Sequence, residues 1–238
     1  MKEKIIDWIR RQVRGAGAKG IVMGLSGGID SCVVAALAKE ALGGRNVFAL
    51  FMPCHSHAQD LADALFVARK LGIKSAKIEL TKIYDVFLKN LPAGPKMAQA
   101  NLRPRLRMAA LYYFANKHNY LVCGTGNKSE LTMGYFTKYG DGGVDILPIA
   151  SLLKRDVRRL AGELEIPRHI IEKPPTAGLW PGQTDEAEMG ITYAELDDIL
   201  ERLDKNRKQS ASSAKVARVK AMIKRSAHKR QGPKVCCI

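Results

Sequence analysis

The 238-residue sequence predicts an α/β fold with an open, doubly wound, Rossmann-like parallel sheet. Short apolar runs alternate with longer amphipathic segments in the first half of the chain, which is typical of βαβ units. A Gly-rich turn at 24–31 joins the first apolar run to a helix-favouring segment. A second Gly-containing turn, at 124–130, follows the fourth apolar run. Both turns should therefore lie at the carboxyl edge of the sheet, where folds of this class bind ligands.

The elements of the first half follow from apolar periodicity and from Gly or Pro at their ends. Ile5, Ile9 and Val13 recur every four residues, which predicts an amphipathic helix at the start of the chain. Gly43 and Gly72 are typical of helix ends, and Pro53 ends a buried strand. We predict helices at 2–14, 31–42, 58–71, 82–90 and 97–118, and strands at 20–25, 46–52, 77–80 and 120–123.

The pattern changes after residue 134. Residues 134–146 are rich in Gly, Asp, Tyr and Lys and show no periodicity, which favours a ligand-binding loop. The Pro-rich stretch 167–190 is predicted to be irregular, and Leu179 and Trp180 within it favour a lid over permanent disorder. Helices are predicted at 151–165, 192–205 and 211–226. We expect one domain over 1–238, divided into a nucleotide-binding core (1–133), ligand loops and lid (134–190) and C-terminal helices (191–230).

Composition narrows the class of protein. Apolar stretches are far too short for a membrane span, and the N-terminus lacks a signal-peptide pattern, so we expect a soluble cytoplasmic protein without membrane contact. The net charge is +16, and residues 201–234 hold 12 Lys or Arg and 2 Asp or Glu. Such a tail is compatible with nucleic-acid binding or with a solvated helix near a polyanionic small substrate. It contains no Phe, Tyr or Trp, which favours the small substrate and no nucleic-acid partner.

The Gly-rich turn, Gly24 to Ser31, suits a phosphate. Its backbone N–H groups and the positive end of the following helix converge on one point, and Ser26 and Ser31 add hydroxyl donors. Asp30 would repel a phosphate unless a cation lay between them, which implies Mg²⁺. The turn is not a P-loop, because no lysine lies between Lys19 and Lys39.

The second turn, Gly124 to Glu130, offers a hydroxyl at Thr125 and a carboxylate at Glu130. Asp30 and Glu130 could together bridge Mg²⁺ to phosphate oxygens. Glu130 is alternatively a first-turn acid that the helix dipole favours.

Two further patterns leave alternatives open. Arg103, Arg105 and Arg107 cannot share one helix face at two-residue spacing, so some point towards a ligand or else form a charged helix end. His55 and His57 have a spacing that could suggest a metal, but a polar βα loop is favoured.

The ordered motifs resemble the NAD synthetase family. Its Ser-Gly-Gly-x-Asp-Ser, Arg-x-Arg-Met, Gly-Thr-x-Asn-Lys-Ser-Glu, Gly-Tyr-Phe-Thr-Lys-Tyr-Gly-Asp-Gly-Gly, Pro-Thr-Ala-Gly-Leu-Trp and His-Lys-Arg motifs occur here in order across 24–230. The resemblance implies the adenine nucleotide alpha hydrolase-like fold of the ATP pyrophosphatases. Residues 53–60 depart from the family's usual wording, which leaves open which of them contacts ATP.

The resemblance also implies an activity. The enzyme would be a homodimeric, Mg²⁺- and ATP-dependent amide ligase that converts nicotinic acid adenine dinucleotide (deamido-NAD) to NAD through an acyl adenylate, releasing AMP and pyrophosphate. We expect no glutaminase domain, so ammonia would be the nitrogen donor. The helices at 97–118 and 192–226 are the candidates for the dimer interface.

Site residues are carried over by the same resemblance. Asp30 and Glu130 would hold the metal, and these two with Lys154 and Asp145 would be catalytic. ATP would contact Gly24, Leu25, Ser26, Gly27, Gly28, Ile29, Asp30, Ser31, Thr125, Lys154 and Thr176. Deamido-NAD would contact Arg105, Lys138, Asp145, His228 and Lys229.

Two other classes remain. A tRNA-modifying ATP pyrophosphatase is supported by the basic tail, but no Cys-x-x-Cys pair is present. A non-catalytic ATP-sensing module would leave the two opposed carboxylates without a purpose.

Overall fold

A computed structural model describes residues 1–176, 178, 180, 182–208, 210 and 212–236. Four parallel strands form a sheet in the order β3-β2-β1-β4: β1 (Gly20–Gly24), β2 (Val47–Phe51), β3 (Lys74–Lys77) and β4 (Tyr120–Val122). The predicted α/β fold with an open parallel sheet is confirmed. Strand order reverses at β1, since β2 lies on one side of it and β4 on the other. The loops that follow β1 and β4 therefore flank the crevice where such sheets bind ligands.

Twelve α-helices are described in these ranges. They are α1 (Lys2–Gly15), α2 (Ile29–Leu42), α3 (Ala58–Leu71), α4 (Thr81–Lys89), α5 (Lys96–Ala100), α6 (Leu102–His118), α7 (Lys128–Met133), α8 (Lys154–Glu163), α9 (Arg168–Ile171), α10 (Asp185–Met189), α11 (Tyr193–Asp204) and α12 (Ser213–Arg225). Short 3₁₀ helices occur at Gly44–Asn46 and Ala227–Arg230. The single helix predicted at 97–118 is interrupted at Asn101. Pro104 lies in the first turn of α6, where its missing N–H has no helical partner to lose.

The third predicted strand, 77–80, was misplaced, because the observed strand covers Lys74–Lys77. β3 is an edge strand and mostly exposed, so its lysines and serine hide the apolar pattern of a strand. The chain stays extended beyond it, and the amides of Ile78 and Leu80 donate to the carbonyl oxygens of Phe51 and Pro53 at 2.8 and 2.9 Å.

The stretch predicted to be irregular, 167–190, contains α9 and α10 in its described part. Both helices are too short for their periodicity to be read from sequence. Of the predicted lid residues, Leu179 lies outside the described residues, as does Ala211 of the predicted helix at 211–226.

Helices cover both faces of the sheet, as a doubly wound fold requires. In β1, Ile21 and Met23 pack on the face that also holds residues of α1, α2, α3 and α8. Val22 packs on the opposite face with Leu111 and Ala115 of α6. A separate apolar cluster joins α7, α10, α11 and α12 beside the carboxyl edge. No helix among the described residues is long and apolar enough to cross a membrane.

Candidate active site

The Gly-rich loop between β1 and α2 is organised by its two serines. The Ser31 hydroxyl donates to the Gly28 carbonyl oxygen at 2.9 Å and accepts from the Ser26 amide at 3.2 Å. The Ser26 hydroxyl accepts from the Gly28 amide at 3.2 Å. Gly27 has a φ of +81°, a left-handed conformation that residues with a side chain resist. The loop therefore turns tightly, and α2 begins directly after it at Ile29.

The loop after β4 is fixed to the first loop by one buried side chain, Asn127. Its Oδ1 accepts from the Glu130 amide at 3.0 Å, and the Asn127 amide donates to Glu130 Oε2 at 3.5 Å, which forms a capping box at the start of α7. Asn127 Nδ2 donates to Asp30 Oδ1 at 2.8 Å. Glu130 therefore caps the first turn of α7 with Oε2, while its Oε1 lies near Lys154 and Tyr193.

Lys154 places a cation between the two loops. It is the first residue of α8, and its side chain is only 2% exposed. Lys154 Nζ donates to Asp30 Oδ2 at 2.5 Å and to Glu130 Oε1 at 3.0 Å. The structure therefore brings together three residues that the sequence analysis expected to be catalytic.

Burial and charge shift the pKa values of this group in a consistent way. Burial raises the pKa of Glu130 to about 7, although the neighbouring Lys154 opposes the shift. Burial alone would lower the pKa of Lys154, but Asp30 and Glu130 raise it above its ordinary value. One ammonium thus faces two carboxylates, and a further cation would favour the ionised form of Glu130.

A network of acids and tyrosines links this group to the chain beyond residue 183. The Tyr193 hydroxyl donates to Asp185 Oδ2 at 3.0 Å and lies 3.4 Å from Glu130 Oε1. Asp185 is buried, and its Oδ1 has no hydrogen-bond partner among the described residues. Burial raises the pKa of Asp185. The sequence analysis did not assign Asp185 to the site, because nothing in its local pattern distinguishes it from a helix-terminal acid.

A cavity of about 930 Å³ lies between the two strand-end loops. Glu130, His228 and Lys229 line it. So do all the residues expected to bind ATP except one: Gly24, Leu25, Ser26, Gly28, Ile29, Asp30, Ser31, Thr125, Lys154 and Thr176. The exception is Gly27, which packs behind the loop, where an added Cβ would lie 2.3 Å from the Asp60 carbonyl oxygen.

The C-terminal 3₁₀ helix is fastened to the loop after α7. Lys229 Nζ donates to the carbonyl oxygens of Gly134 and Phe136, both at 2.8 Å. Lys138 Nζ donates to the His228 carbonyl oxygen at 2.7 Å. Residues nearly a hundred positions apart therefore form one wall of the cavity.

The other residues expected to bind the dinucleotide, Arg105, Lys138 and Asp145, are not among those lining the cavity. Arg105 is exposed on α6. Asp145 Oδ1 accepts from the Tyr112 hydroxyl at 2.9 Å, and Oδ2 accepts from the Val122 amide at 2.7 Å. Asp145 thus holds the 134–146 loop against β4.

The three arginines point in different directions, as their spacing predicted. Arg107 lines the cavity, its Nε donates to the Met52 carbonyl oxygen at 3.1 Å, and burial lowers its pKa. The guanidinium of Arg103 lies 5.0 Å from the centre of the Tyr84 ring. The sequence predicted that some of the three arginines point towards a ligand but did not indicate which, and Arg107 is the one that lines the cavity.

Some charged cavity residues gave no local signal in the sequence. Lys173 is one, because its partners Asp60 and Asp63 lie more than a hundred positions away.

His55 Nε2 lies 2.8 Å from Asp85 Oδ1, in the polar loop that was favoured over a metal site. Within the described ranges, no group of three or more His, Cys, Asp or Glu side chains is arranged to hold a metal.

The fold and the site together define an α/β nucleotide-binding protein of the adenine nucleotide alpha hydrolase-like type. The sequence pattern of the NAD synthase family matches residues 1–233, and the chain belongs to that family.

Relatives and solved structures agree with this assignment. The chain is 54% identical over 235 residues to the NH(3)-dependent NAD(+) synthetase of Archaeoglobus fulgidus, covering 98% of this chain and 94% of the relative. It is 46% identical to the enzyme of that name from Carboxydothermus hydrogenoformans, covering 98% and 95%.

Two solved structures are also similar over almost their whole length. An NMN synthetase from Francisella tularensis superposes with a TM-score of 0.93 at 39% identity, covering 100% of this chain and 97% of that one. An NH3-dependent NAD synthetase from Campylobacter jejuni, in complex with nitrate, superposes with a TM-score of 0.86 at 34% identity, covering 99% and 97%.

Proposed function

We propose that this protein amidates the nicotinate carboxylate of deamido-NAD, using ATP and ammonia and releasing NAD, AMP and pyrophosphate. The observation that carries the proposal is the Asp30–Lys154–Glu130 group at the carboxyl edge of the sheet, in a chain of the NAD synthase family. The names of the relatives from Archaeoglobus and Carboxydothermus support ammonia as the nitrogen donor.

ATP is proposed to bind with its phosphates against the Gly-rich loop. The hydrogen bonds between Ser26, Gly28 and Ser31 hold this loop in a tight turn. Lys154 is buried beside it and stays charged because two carboxylates raise its pKa. A preorganised loop and a fixed cation are what a phosphoryl-transfer site needs, since such catalysis depends on positioning and charge neutralisation.

Asp30 and Glu130 fit a divalent cation. They come from different loops yet converge on one ammonium, and Asp185 adds a buried oxygen that has no hydrogen-bond partner in the described part of the chain. Two carboxylates are too few for an all-protein cage, but Mg²⁺ is usually bound by one or two carboxylates together with substrate phosphates and water. Asp30 and Glu130 would hold Mg²⁺, which when bound neutralises charge on the phosphate oxygens.

The first step would form an acyl adenylate. A carboxylate oxygen of nicotinate attacks the α phosphorus of ATP, and the bond to the leaving pyrophosphate breaks in line with the attack. The Gly-rich loop donates to the phosphates, and Lys154 stabilises the negative charge that develops on the leaving group.

The second step would form the amide. Neutral ammonia attacks the acyl carbonyl carbon, and the bond to AMP breaks. Asp145 is proposed to orient ammonia or to accept its proton. Both Asp145 oxygens already accept hydrogen bonds, from Tyr112 and Val122, which favours orientation over proton acceptance.

The substrate is proposed to bind along the wall formed by the 134–146 loop and the C-terminal 3₁₀ helix. His228 and Lys229 line the cavity, whereas Arg105, Lys138 and Asp145 are not among the residues that line it. Arg105 and Lys138 would then contact the part of the dinucleotide that extends beyond the mouth of the cavity, while the reacting end enters the cavity.

A homodimer is also proposed. Large apolar side chains are exposed on α4 (Ile83, Val86 and Phe87), and Tyr113 is exposed on α6. Exposed apolar patches commonly mark protein interfaces. Light scattering of the wild type and of Val86→Asp tests this, because a dimer through this face should dissociate in the variant.

We also propose the cytoplasmic location that is expected from the sequence.

Product formation from MgATP and deamido-NAD tests the function. NAD and pyrophosphate should form with ammonium and not with glutamine, and chelation of the divalent cation should abolish both. Pyrophosphate release without NAD would contradict the proposal and point to another acceptor, with bulk tRNA the next substrate. The basic C-terminal residues favour this alternative, although Lys205 and Lys215 are already paired with Glu201 and Glu195.

A second candidate substrate is favoured by the likeness to the Francisella NMN synthetase. The acid that yields NMN on amidation is a mononucleotide with the same nicotinate carboxylate. Comparing kcat/KM for the dinucleotide and mononucleotide acids decides between them, and we expect the dinucleotide to be preferred.

A further inference from the structure

An ionic cluster lies against the Gly-rich loop, apart from the Lys154 group, and two of its members, Asp60 and Lys173, line the cavity. Lys173 Nζ donates to Asp60 Oδ1 at 2.8 Å and to Asp63 Oδ2 at 2.6 Å. Asp63 is 3% exposed, and Gln59 Nε2 donates to its Oδ1 at 2.8 Å. Burial alone would raise the pKa of Asp63, but the hydrogen bonds from Lys173 and Gln59 lower it, so this buried carboxylate is ionised. The cluster takes no part in the proposed reaction steps.

The cluster is in direct contact with the Gly-rich loop. Asp60 and Asp63 lie in the first turns of α3, and Gly27 packs on that backbone so closely that a Cβ would lie 2.3 Å from the Asp60 carbonyl oxygen and 3.1 Å from Asp63 Cβ. Close-packed contacts of this kind transmit small displacements, since there is no free space to absorb them. A shift of Asp60 would therefore move the loop.

Lys173 also begins the segment that carries Thr176 to the cavity. Pro174 and Pro175 separate the two residues, and proline fixes φ, so little slack remains between them. The Pro175 carbonyl oxygen accepts from the Asp185 amide at 3.1 Å. All four residues from Lys173 to Thr176 line the cavity.

We propose that Lys173, through its ion pairs with Asp60 and Asp63, is a positioning residue that holds the Gly-rich loop and the Thr176 segment in one fixed relation. The Gly-rich loop and the Thr176 segment then form two walls of the phosphate site whose relative position is already set for binding one nucleotide. The inference rests on the proposed function only in taking ATP as the ligand.

Direct use of the Lys173 ammonium on a phosphate is the competing role, and the geometry disfavours it. Both carboxylates bracket the ammonium within 2.8 Å. Turning it towards ATP would leave Asp63 ionised and buried without its cation, which is strongly unfavourable. Asp30 and Glu130, beside Lys154, differ in being the proposed ligands of a divalent cation.

The test measures the Kd for ATP in the presence of Mg²⁺ by equilibrium dialysis, without deamido-NAD. Lys173→Met should raise the Kd by about tenfold to a hundredfold, because the two walls would have to be ordered at the expense of binding energy. Lys173→Arg should keep most of the affinity, because a guanidinium can pair with both carboxylates. Lys70→Met is the matched control. Lys70 also joins α3 to the chain after α8, by donating to the Glu165 carbonyl oxygen at 2.6 Å, and it is not among the residues that line the cavity.

A double-mutant cycle separates positioning from direct contact. Asp60→Asn should raise the Kd by about threefold to tenfold, since one charged partner of Lys173 remains. The double variant Lys173→Met/Asp60→Asn should be no worse than Lys173→Met alone, because both changes break the same contact. Multiplicative effects, or an Asp60→Asn variant that binds ATP more tightly, would show that Lys173 contacts the phosphate itself and overturn the proposal.

Two further outcomes are decisive. An unchanged Kd in Lys173→Met also overturns the proposal. If Lys173→Met does not fold, the isosteric Asp60→Asn variant, whose side chain is partly exposed, decides alone through the predicted Kd increase. Wild type that binds ATP yet makes no NAD would refute the proposed function and leave this inference intact.

Discussion

Replacing Lys154 with Met would remove the cation between Asp30 and Glu130 while keeping most of the aliphatic volume. The lysine side chain is 2% exposed, and each carboxylate side chain is 17% exposed, so the charges left behind are poorly solvated. Breaking a buried ion pair by removing one partner typically costs about 3–5 kcal/mol. Glu130 can relieve part of this cost by binding a proton, because burial already raises its pKa to about 7.

A net loss of about 3 kcal/mol in the free energy of unfolding is therefore expected at pH 8. In a chain of this length that corresponds to a Tm lower by about 6–12 °C. The loss should be smaller at pH 6, where Glu130 is protonated and no longer an uncompensated charge. Turnover should fall by about a hundredfold to a thousandfold, the usual effect of removing one preorganised charge donor.

Calorimetry at both pH values, with pyrophosphate release as the activity readout, measures these effects. Lys205→Met is the matched control, because the Lys205 ammonium is also paired with a carboxylate. It lies 2.6 Å from a carboxylate oxygen of Glu201, but this pair is on the surface. Exposed pairs of this kind add little, so its Tm should barely change. A Tm for Lys154→Met within about 2 °C of wild type at pH 8 would refute the electrostatic reasoning.

Three further outcomes are expected. Glu130→Gln removes the group whose pKa rises from 4.5 in the unfolded chain to about 7 in the folded protein. Wild type should therefore lose stability relative to the variant as pH rises from 4.5 to about 7, whereas the variant has no proton to lose there. A difference in unfolding free energy between the two proteins that stays constant over this pH range, measured by urea denaturation, would contradict this. Gly27→Ala should be destabilised by more than the about 1–2 kcal/mol that a left-handed alanine costs, because its Cβ would meet the Asp60 carbonyl oxygen at 2.3 Å. Gly17→Ala is the control, because Gly17 also has a left-handed φ, of +62°, and no heavy atom of the described residues lies within 4 Å of its added Cβ. Equal Tm values for the two variants would argue against the close contact at Gly27. Asp145→Asn should lower turnover with ammonia as donor, and normal turnover with an unchanged pH dependence would remove Asp145 from the second step.

Local sequence signals were sufficient where an element is formed by neighbours in the chain. The Gly-rich loop could be predicted because its conformation is held by Ser26, Gly28 and Ser31, which lie within six residues. The capping box joins Asn127 to Glu130, three positions later, and the first-turn acid that the sequence offered as the alternative reading of Glu130 is observed. The edge strand β3 was misplaced because exposure removes the apolar pattern on which the prediction depended.

The sequence by itself determined the α/β class, the Gly-containing turns after β1 and β4 and the family, because each depends on short-range patterns or on ordered motifs. Only the tertiary structure decided that Lys154 lies between Asp30 and Glu130, that Gly27 rests on Asp60, and that Lys173 pairs with α3. These contacts join residues separated by 24 to 124 positions, and no local propensity encodes them. They form because the parallel crossovers bring distant loops to one edge of the sheet, where burial requires every charge to find a partner.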